Sequence, residues 1–539
     1  MTTGPETIIT AERIHTLADE RGAVAAIGIT DGLVTHLGTR DEAAGWAGPE
    51  TVIHDFPGST VVPGLVDAHT HPVFGLGMTA GLSLTGVETL DEAEQMLADY
   101  AAAHPDTDWL QAWGLEQTLF GDREPSHAFL TRAVPGRKAF VLLFDGHAAV
   151  ASSEALAHAG VTRGEKLPDG SEVRVDAAGV PNGFLRELGA MGLLRQHLPV
   201  LGFEEKVQGL LAVLTDMARN GLTGIEMLDN EDPDSIALFE EIERRGELPV
   251  RVRIAPWFLA KHEPAVLQEV IALQGIRGRR FEVRGAKLMI DGTVDNGTAW
   301  LNEPDTEGES TDSLWLRPAD YAAALAKLHA AGVTTTTHAI GDRGVGFVAD
   351  AIGSLPASGP KHRIEHIEAL SDDDLAKLVA SGAAASMQPT HCTHFVKPDR
   401  SDAWSRRLGA ERSRSHTFRM RDVIDAGVVL ALGSDWPIAP YDPREILADA
   451  QTRRRTARPG SGVIDEQRLS AREALEGYTS NVPRSTGSAG GTLAIGEVAD
   501  VTVFSVDPLA ATPEQLLAAT VVATLLGGEA AVGEAGSAA

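Results

Sequence analysis

Eight short runs rich in β-branched residues, spaced along the middle of the chain and separated by amphipathic stretches, limit this sequence to very few folds. They lie at 61–69, 222–228, 250–256, 282–290, 333–339, 362–368, 383–389 and 428–435. Strands of this length alternating with helical patterns are the signature of βα units and a parallel sheet. One connection, 318–332, puts Leu325 and Leu328 on the same face as several alanines, as an amphipathic helix does. The pattern predicts an α/β fold, a (β/α)8 TIM barrel occupying residues 65–489. The gap between the first two runs is too long for one crossover and contains a strand of its own, KAFVLLF at 138–144. Residues 80–215 therefore read as a subdomain inserted after strand 1, over the mouth where such barrels carry their chemistry.

The two ends carry hairpin signals, Asp31-Gly32 near the start and Gly527-Gly528 near the finish. Neither end has enough strands to bury a core alone. Residues 1–64 and 490–539 are expected to pair into one small composite β-sandwich domain.

Charge narrows the function. Lys and Arg number 46 against 76 Asp and Glu, a net charge of −30. Such a surface repels phosphate backbones and anionic headgroups, so neither nucleic acid nor membrane is an expected partner. No apolar run approaches the ~18 residues that span a bilayer. The opening MTTGPETIITAERIHTL has no basic start followed by an apolar core. The expectation is a cytoplasmic protein acting on a small-molecule substrate. Its one cysteine, Cys392, excludes a disulfide framework and a thiolate metal cluster. A homodimer is expected only from the frequency of closed symmetric assemblies.

The run DAHTH ends the first predicted strand with His69 and His71. Residues i and i+2 of a strand share a face, so both imidazoles aim one way, a chelating geometry for a divalent ion such as zinc. Lys287, His338, His366 and Asp435 also fall late in their runs, on strands that bring distant residues to one mouth of a closed barrel. Asp435, in GSDWP, suits proton transfer beside a metal, although an N-cap before Pro437 is the plainer alternative. Lys287 sits in an apolar strand, which calls for a depressed pKa with Asp291 or Asp295 as partner, or for carbamylation. Asp67, Glu365 and Asp342 lie near the ligands as imidazole acceptors. Strict alternation with His366 turns Glu365 away from the site.

From VVPGLVDAHTHP through KLMIDGTVDNGTA, THAIGDRG, HRIEHIE and GSDWP to VADVTVFSVDP, the chain resembles the metal-dependent amidohydrolases of the YtcJ-like branch, which includes the N-substituted formamide deformylases. The resemblance implies that His69 and His71 bind the more buried metal, that a carboxylated Lys287 bridges two ions, and that His338 and His366 hold the second. It makes Asp435 the general acid/base and a further metal ligand. The implied cofactor is one or two divalent ions, zinc by default. The implied reaction is hydrolysis of a linear, non-peptide amide, such as an N-substituted formamide or another small N-acyl compound, by metal-activated water. A deaminase or cyclic-amide hydrolase is the alternative on the same barrel, and a non-catalytic barrel protein is a third reading. Deaminases of this architecture commonly use one metal and lack the lysine, so Lys287 favours amide cleavage.

In DGHAA, His147 is a substrate contact by the same resemblance. Trp113, Trp257, Trp300, Trp315 and Trp436 lie in runs approaching the mouth, and Trp300 and Trp436 are the expected contacts for an apolar N-substituent. Met387, Gln388, His391 and His394 follow the seventh run and are further lining candidates. Arg453, Arg454 and Arg455 read as a solvated helix face and Cys392 as a packing residue.

Overall fold

Gly64 divides the first predicted run between two sheets. The computed structural model describes residues 4–532 except 19–22, 122, 168, 230–231 and 458–459. In it, strand Val52–Pro63 belongs to a terminal β sheet and strand Leu65–Thr70 to the parallel core. A Cβ at position 64 would collide with the Thr223 side chain, and the Gly64 N–H donates to the Asp500 carbonyl at 2.8 Å. Only glycine lets the chain pass so close.

The other runs become strands Leu222–Met227, Arg251–Ile254, Phe281–Val283, Ala286–Met289, Thr335–Ala339, Arg363–His366, Ala384–Met387 and Leu430–Leu432. Neighbours pair in parallel. The fourth run is broken at Gly285, whose φ of +100° turns the chain out of line. Its halves join different ladders, giving one parallel sheet of four strands and one of five in place of the single closed sheet that the strand count predicts. The sheets meet at two seams, each through an isolated bridge: Trp257 with Lys287, and Thr70 with Trp436. At the second seam Asp435 N–H donates to the His69 carbonyl at 2.7 Å and His71 N–H to the Trp436 carbonyl at 2.8 Å. Helix Pro318–Ala330 buries Leu325 and Leu328 as its sequence spacing requires.

Both chain ends contribute to one seven-stranded sheet, in which Val501–Phe504 runs antiparallel to Val52–Pro63. This sheet is hydrogen-bonded as one unit and not as the two stacked sheets of a sandwich. A register irregularity between Ala11 and Arg13 bends it, and Ile9, Ile27, Phe56 and Val501 pack together in its own core. Residues 1–3 and 533–539 of the expected terminal domain lie outside the described residues. A second seven-stranded sheet is formed by strands between Leu82 and Arg186. Its hairpin of Lys138–Leu143 and Ala148–Ala151 carries Phe144, Asp145 and His147 at the tip. Helix Phe203–Arg219 packs Val207, Leu210 and Leu214 into the core of the parallel strands. Among the described residues no helix is long and apolar enough to cross a membrane.

The interior of the parallel sheets is crossed by charge. Arg363 is fully buried; its Nη1 lies 2.8 Å from Glu226 Oε2 and its Nε donates to Glu365 Oε1 at 2.6 Å. Nη1 also donates to Ser485 Oγ at 3.0 Å, and Nη2 donates to the Ala68 carbonyl at 2.8 Å. Removing one partner of a buried ion pair leaves the other uncompensated, so Arg363→Met is predicted to destabilise the fold by about 3–5 kcal/mol. The urea midpoint measures this, and an unchanged midpoint would show that Glu226 and Glu365 need no cation between them.

Candidate metal centre

The C-terminal ends of the parallel strands deliver imidazoles onto one carboxylate. His69 and His71 leave the end of Leu65–Thr70 two residues apart. Asp435 Oδ1 lies 3.0 Å from His71 Nε2 and 3.3 Å from His69 Nε2, while Oδ2 lies 3.5 Å from His391 Nε2. Lys287 Nζ is 3.0 Å from His69 Nε2. The His366 ring centroid is 4.7 Å from that of His69 and 4.5 Å from that of His338. His338 Nε2 meets the Gly292 carbonyl at 3.1 Å, a bond that leaves the lone pair on Nδ1. The structure thus brings together His69, His71, Lys287, His338, His366 and Asp435.

Backbone strain accompanies these positions. Glu187, His366 and Asp435 adopt φ of +66°, +73° and +60°. Such conformations cost about 1–3 kcal/mol each in non-glycine residues and collect at functional sites.

Burial holds the imidazoles of His69, His338 and His366 well below their usual range, with the charge of Lys287 adding to the effect. They are neutral at pH 7, the form that binds a metal. Burial also pulls Lys287 down to about 8, against the opposing pull of Glu365 and Asp435. For Asp435 burial favours the neutral acid, but His69, His71 and His391 outweigh it and hold the carboxylate ionised. His147 is likewise opposed by burial, yet the charge of Glu187, 2.8 Å from Nδ1, pushes it up to about 9. His71 Nδ1, His366 Nδ1 and His391 Nε2 are buried without a hydrogen bond among the described residues. Unsatisfied buried nitrogens are costly. A divalent cation is what two groups of three, His69–His71–Asp435 and His366–His391–Asp435, are chemically suited to hold.

Several expectations are corrected. Glu365 faces inward: its Oε2 accepts from His69 Nδ1 at 2.8 Å. Alternation puts Arg363 and Glu365 on the interior face, and His366 reaches the same space through its left-handed backbone. Such carboxylates fix the tautomer and angle of a ligating imidazole. Glu365→Gln is therefore predicted to weaken metal binding about 10–100-fold. Competition with a chromogenic chelator reads this, and an unaltered affinity would remove Glu365 from the site. Asp67 accepts instead from the backbone of His69 and Ser434, and Asp342 from the backbone of Asn302. Neither Asp291 nor Asp295 partners Lys287: Asp291 is occupied by the N–H groups of Trp300, Ile340 and Gly341. Asp295 lines the cavity, where burial and Asp145 drive it well above the carboxylate range.

Two small cavities, about 40 and 50 Å3, flank Asp435 and share His147, His338 and His366 as walls. Phe144 and Phe395, with ring centroids 4.4 Å apart, stand between the first of them and an outer cleft of about 730 Å3. His394 lines that outer cleft. Of the five tryptophans expected near the mouth, Trp257 lines the second of the inner cavities. Trp300 packs on Phe347 and Arg343, and Trp436 on Tyr441, outside the inner walls. His391, expected only as a lining residue, stands beside Asp435; its position on helix Pro389–Phe395, directly after a core strand, was the available signal. Arg453 is not solvated: it is fully buried and donates to the carbonyls of Val463 and Phe418 and to Cys392 Sγ.

Residues 53–532 match the family described as Amidohydrolase family. The protein YtcJ of Bacillus subtilis is 28% identical over 535 residues, covering 96% of this chain and 97% of that protein. The N-substituted formamide deformylase of Arthrobacter pascens is 23% identical over 552 residues, covering 98% of both chains. A crystal structure of a metal-dependent hydrolase from Pyrococcus horikoshii superposes with a TM-score of 0.71 at 22% identity, covering 94% of this chain and 99% of that one.

Proposed function

This chain belongs to the amidohydrolase family and is a hydrolase of carbon–nitrogen bonds, and we propose that its substrate is a small, linear, non-peptide amide with a short acyl group, N-substituted formamides foremost. The observation that carries the reading is Asp435, ionised and within 3.0–3.5 Å of three imidazoles beside the buried Lys287. The two parallel sheets are read as one (β/α)8 barrel, supported by the bridges at both seams. On that reading residues 65–489 form the barrel, 80–215 its insertion, and both ends the β domain.

His69, His71 and Asp435 would hold one ion, and His338 and His366 a second, with Lys287, as its carboxylate, between them. His391 is an added candidate ligand. When bound, divalent ions supply Lewis acidity toward a carbonyl and lower the pKa of water. Zinc suits such an imidazole-rich set.

Asp435 takes the proton from the attacking water and returns it to the departing nitrogen. His147, cationic near neutrality, offers positive charge to the oxygen that becomes negative during attack. Glu365 keeps His69 at a fixed angle. The inner cavities of about 40 and 50 Å3 favour a formyl or similarly small acyl group. An N-substituent would pass Phe144 and Phe395 into the outer cleft.

The test pairs elemental analysis with turnover. Purified protein should contain close to two divalent ions per chain and release formate from an N-substituted formamide. One ion, with ammonia released from a deaminase panel instead, would move the function to deamination. No ion even after zinc reconstitution would overturn the hydrolytic reading of these residues.

A further inference from the structure

The opposite end of the parallel strands opens into a cleft of about 480 Å3, far from Asp435 and its imidazoles along the strand direction. Its walls include Arg251, Arg253, Arg277, Arg279, Arg280 and Arg284, a gathering of positive charge in a chain whose net charge is −30.

These cations are unevenly compensated. Asp500 holds Arg251 with both oxygens, at 2.6 and 3.0 Å. Arg280 donates to the Leu248 carbonyl at 2.7 Å and to Glu529 at 3.3 Å. Arg253 gives Nη1 to Glu226 at 2.8 Å and Nε to the Arg284 carbonyl at 2.9 Å. Its Nη2 is buried with no acceptor among the described residues. Arg279 and Arg284 stand 4.0 and 3.6 Å from their nearest paired carboxylates, and Arg277 forms no ion pair among the described residues.

The facing wall contains the loop TGSAGGT, 486–492. The backbone N–H groups of residues 489 to 492 donate to nothing among the described residues, and Gly490 and Gly491 have φ of +118° and +76°. Free amides in a turn can donate to a bound oxyanion, and Glu497 also lines this wall beside Gly490. Val252, Phe281 and Val482 supply an apolar surface between loop and arginines.

We propose that this cleft is a binding site for a small organic phosphate, with the phosphate between the Gly-rich loop and the guanidinium forks of Arg253, Arg277 and Arg284 and an apolar body against Phe281. The donors outnumber what a carboxylate's two oxygens can accept, whereas a phosphate monoester presents three terminal oxygens. The acidic remainder of the surface disfavours a long polyanion.

The test uses the full-length protein and phenyl phosphate as the probe, followed by calorimetry at matched ionic strength, with inorganic phosphate and benzoate for comparison. Phenyl phosphate should bind more tightly than either. Arg277→Ala combined with Arg284→Ala, two exposed side chains clear of the buried charges, should weaken that binding at least about tenfold while the melting temperature stays put. Equal affinity for benzoate would overturn the phosphate assignment. Binding that survives the double substitution but disappears on metal chelation would place the phosphate at the metal centre and overturn the site.

Discussion

Asp435→Asn is expected to lower kcat on the best N-substituted formamide by about 10²–10⁴-fold, the range that a positioned general acid/base contributes. Asparagine keeps an oxygen facing His69 and His71 but accepts no proton at accessible pH. Metal content should stay near that of the parent protein, because the imidazoles that carry most of the site are unaltered. The pair of measurements distinguishes proton transfer from ligation: low turnover with full metal supports the assigned role. Near-normal turnover would transfer the proton to another group, for which His391, 3.5 Å from Asp435 and apart from the His69–His71 pair, is the structural candidate.

Lys287→Ala is expected to remove about one of two metal equivalents and nearly all turnover, because two ions in such sites are clamped by shared ligands. A buried amine pulled down to about 8 is in part neutral under ordinary conditions, and the neutral amine is the form that reacts with carbon dioxide. Its position 3.0 Å from His69 Nε2 would put a carbamate formed there among the imidazoles. Added formate or acetate should restore part of the lost metal and activity to the alanine variant. Retention of two equivalents without any added acid would assign Lys287 to the charge balance of the interior instead of to the metals.

What the sequence disclosed follows from how local each signal is. The turn at Asp31-Gly32, with φ of +51° and +72°, joins the strands that the dipeptide announces. The helix at 318–330 needs only its own periodicity. The convergence of His69, His71, Lys287, His338, His366 and Asp435 was legible because parallel strands align their C-terminal ends. The inward face of Glu365 was not, because a left-handed histidine at 366 breaks the two-residue period and no residue type marks that break. The partners of Lys287 and Asp291 were hidden for another reason. Proximity in sequence favoured pairing them, while the fold gives Asp291 to three backbone amides and sets Lys287 beside a residue 218 positions away. The seam at Gly285 was visible as a glycine but not as a change of sheet, which depends on which ladder each half meets.

The sheet shared by both termini has a consequence for how this protein comes into being on the ribosome. Pro63 pairs with Val501, so the inner edge of strand Val52–Pro63 has no neighbour on that side until 438 further residues have been made. At ordinary elongation speeds that is about 20–90 s with an open strand edge displayed to solvent or to other nascent chains. Strands late in the sequence complete the first, and the terminal sheet closes only after Val521–Leu526 has been made. Ending the chain at residue 499 would therefore strip the partner strands from the N-terminal sheet without touching a single imidazole of the metal centre.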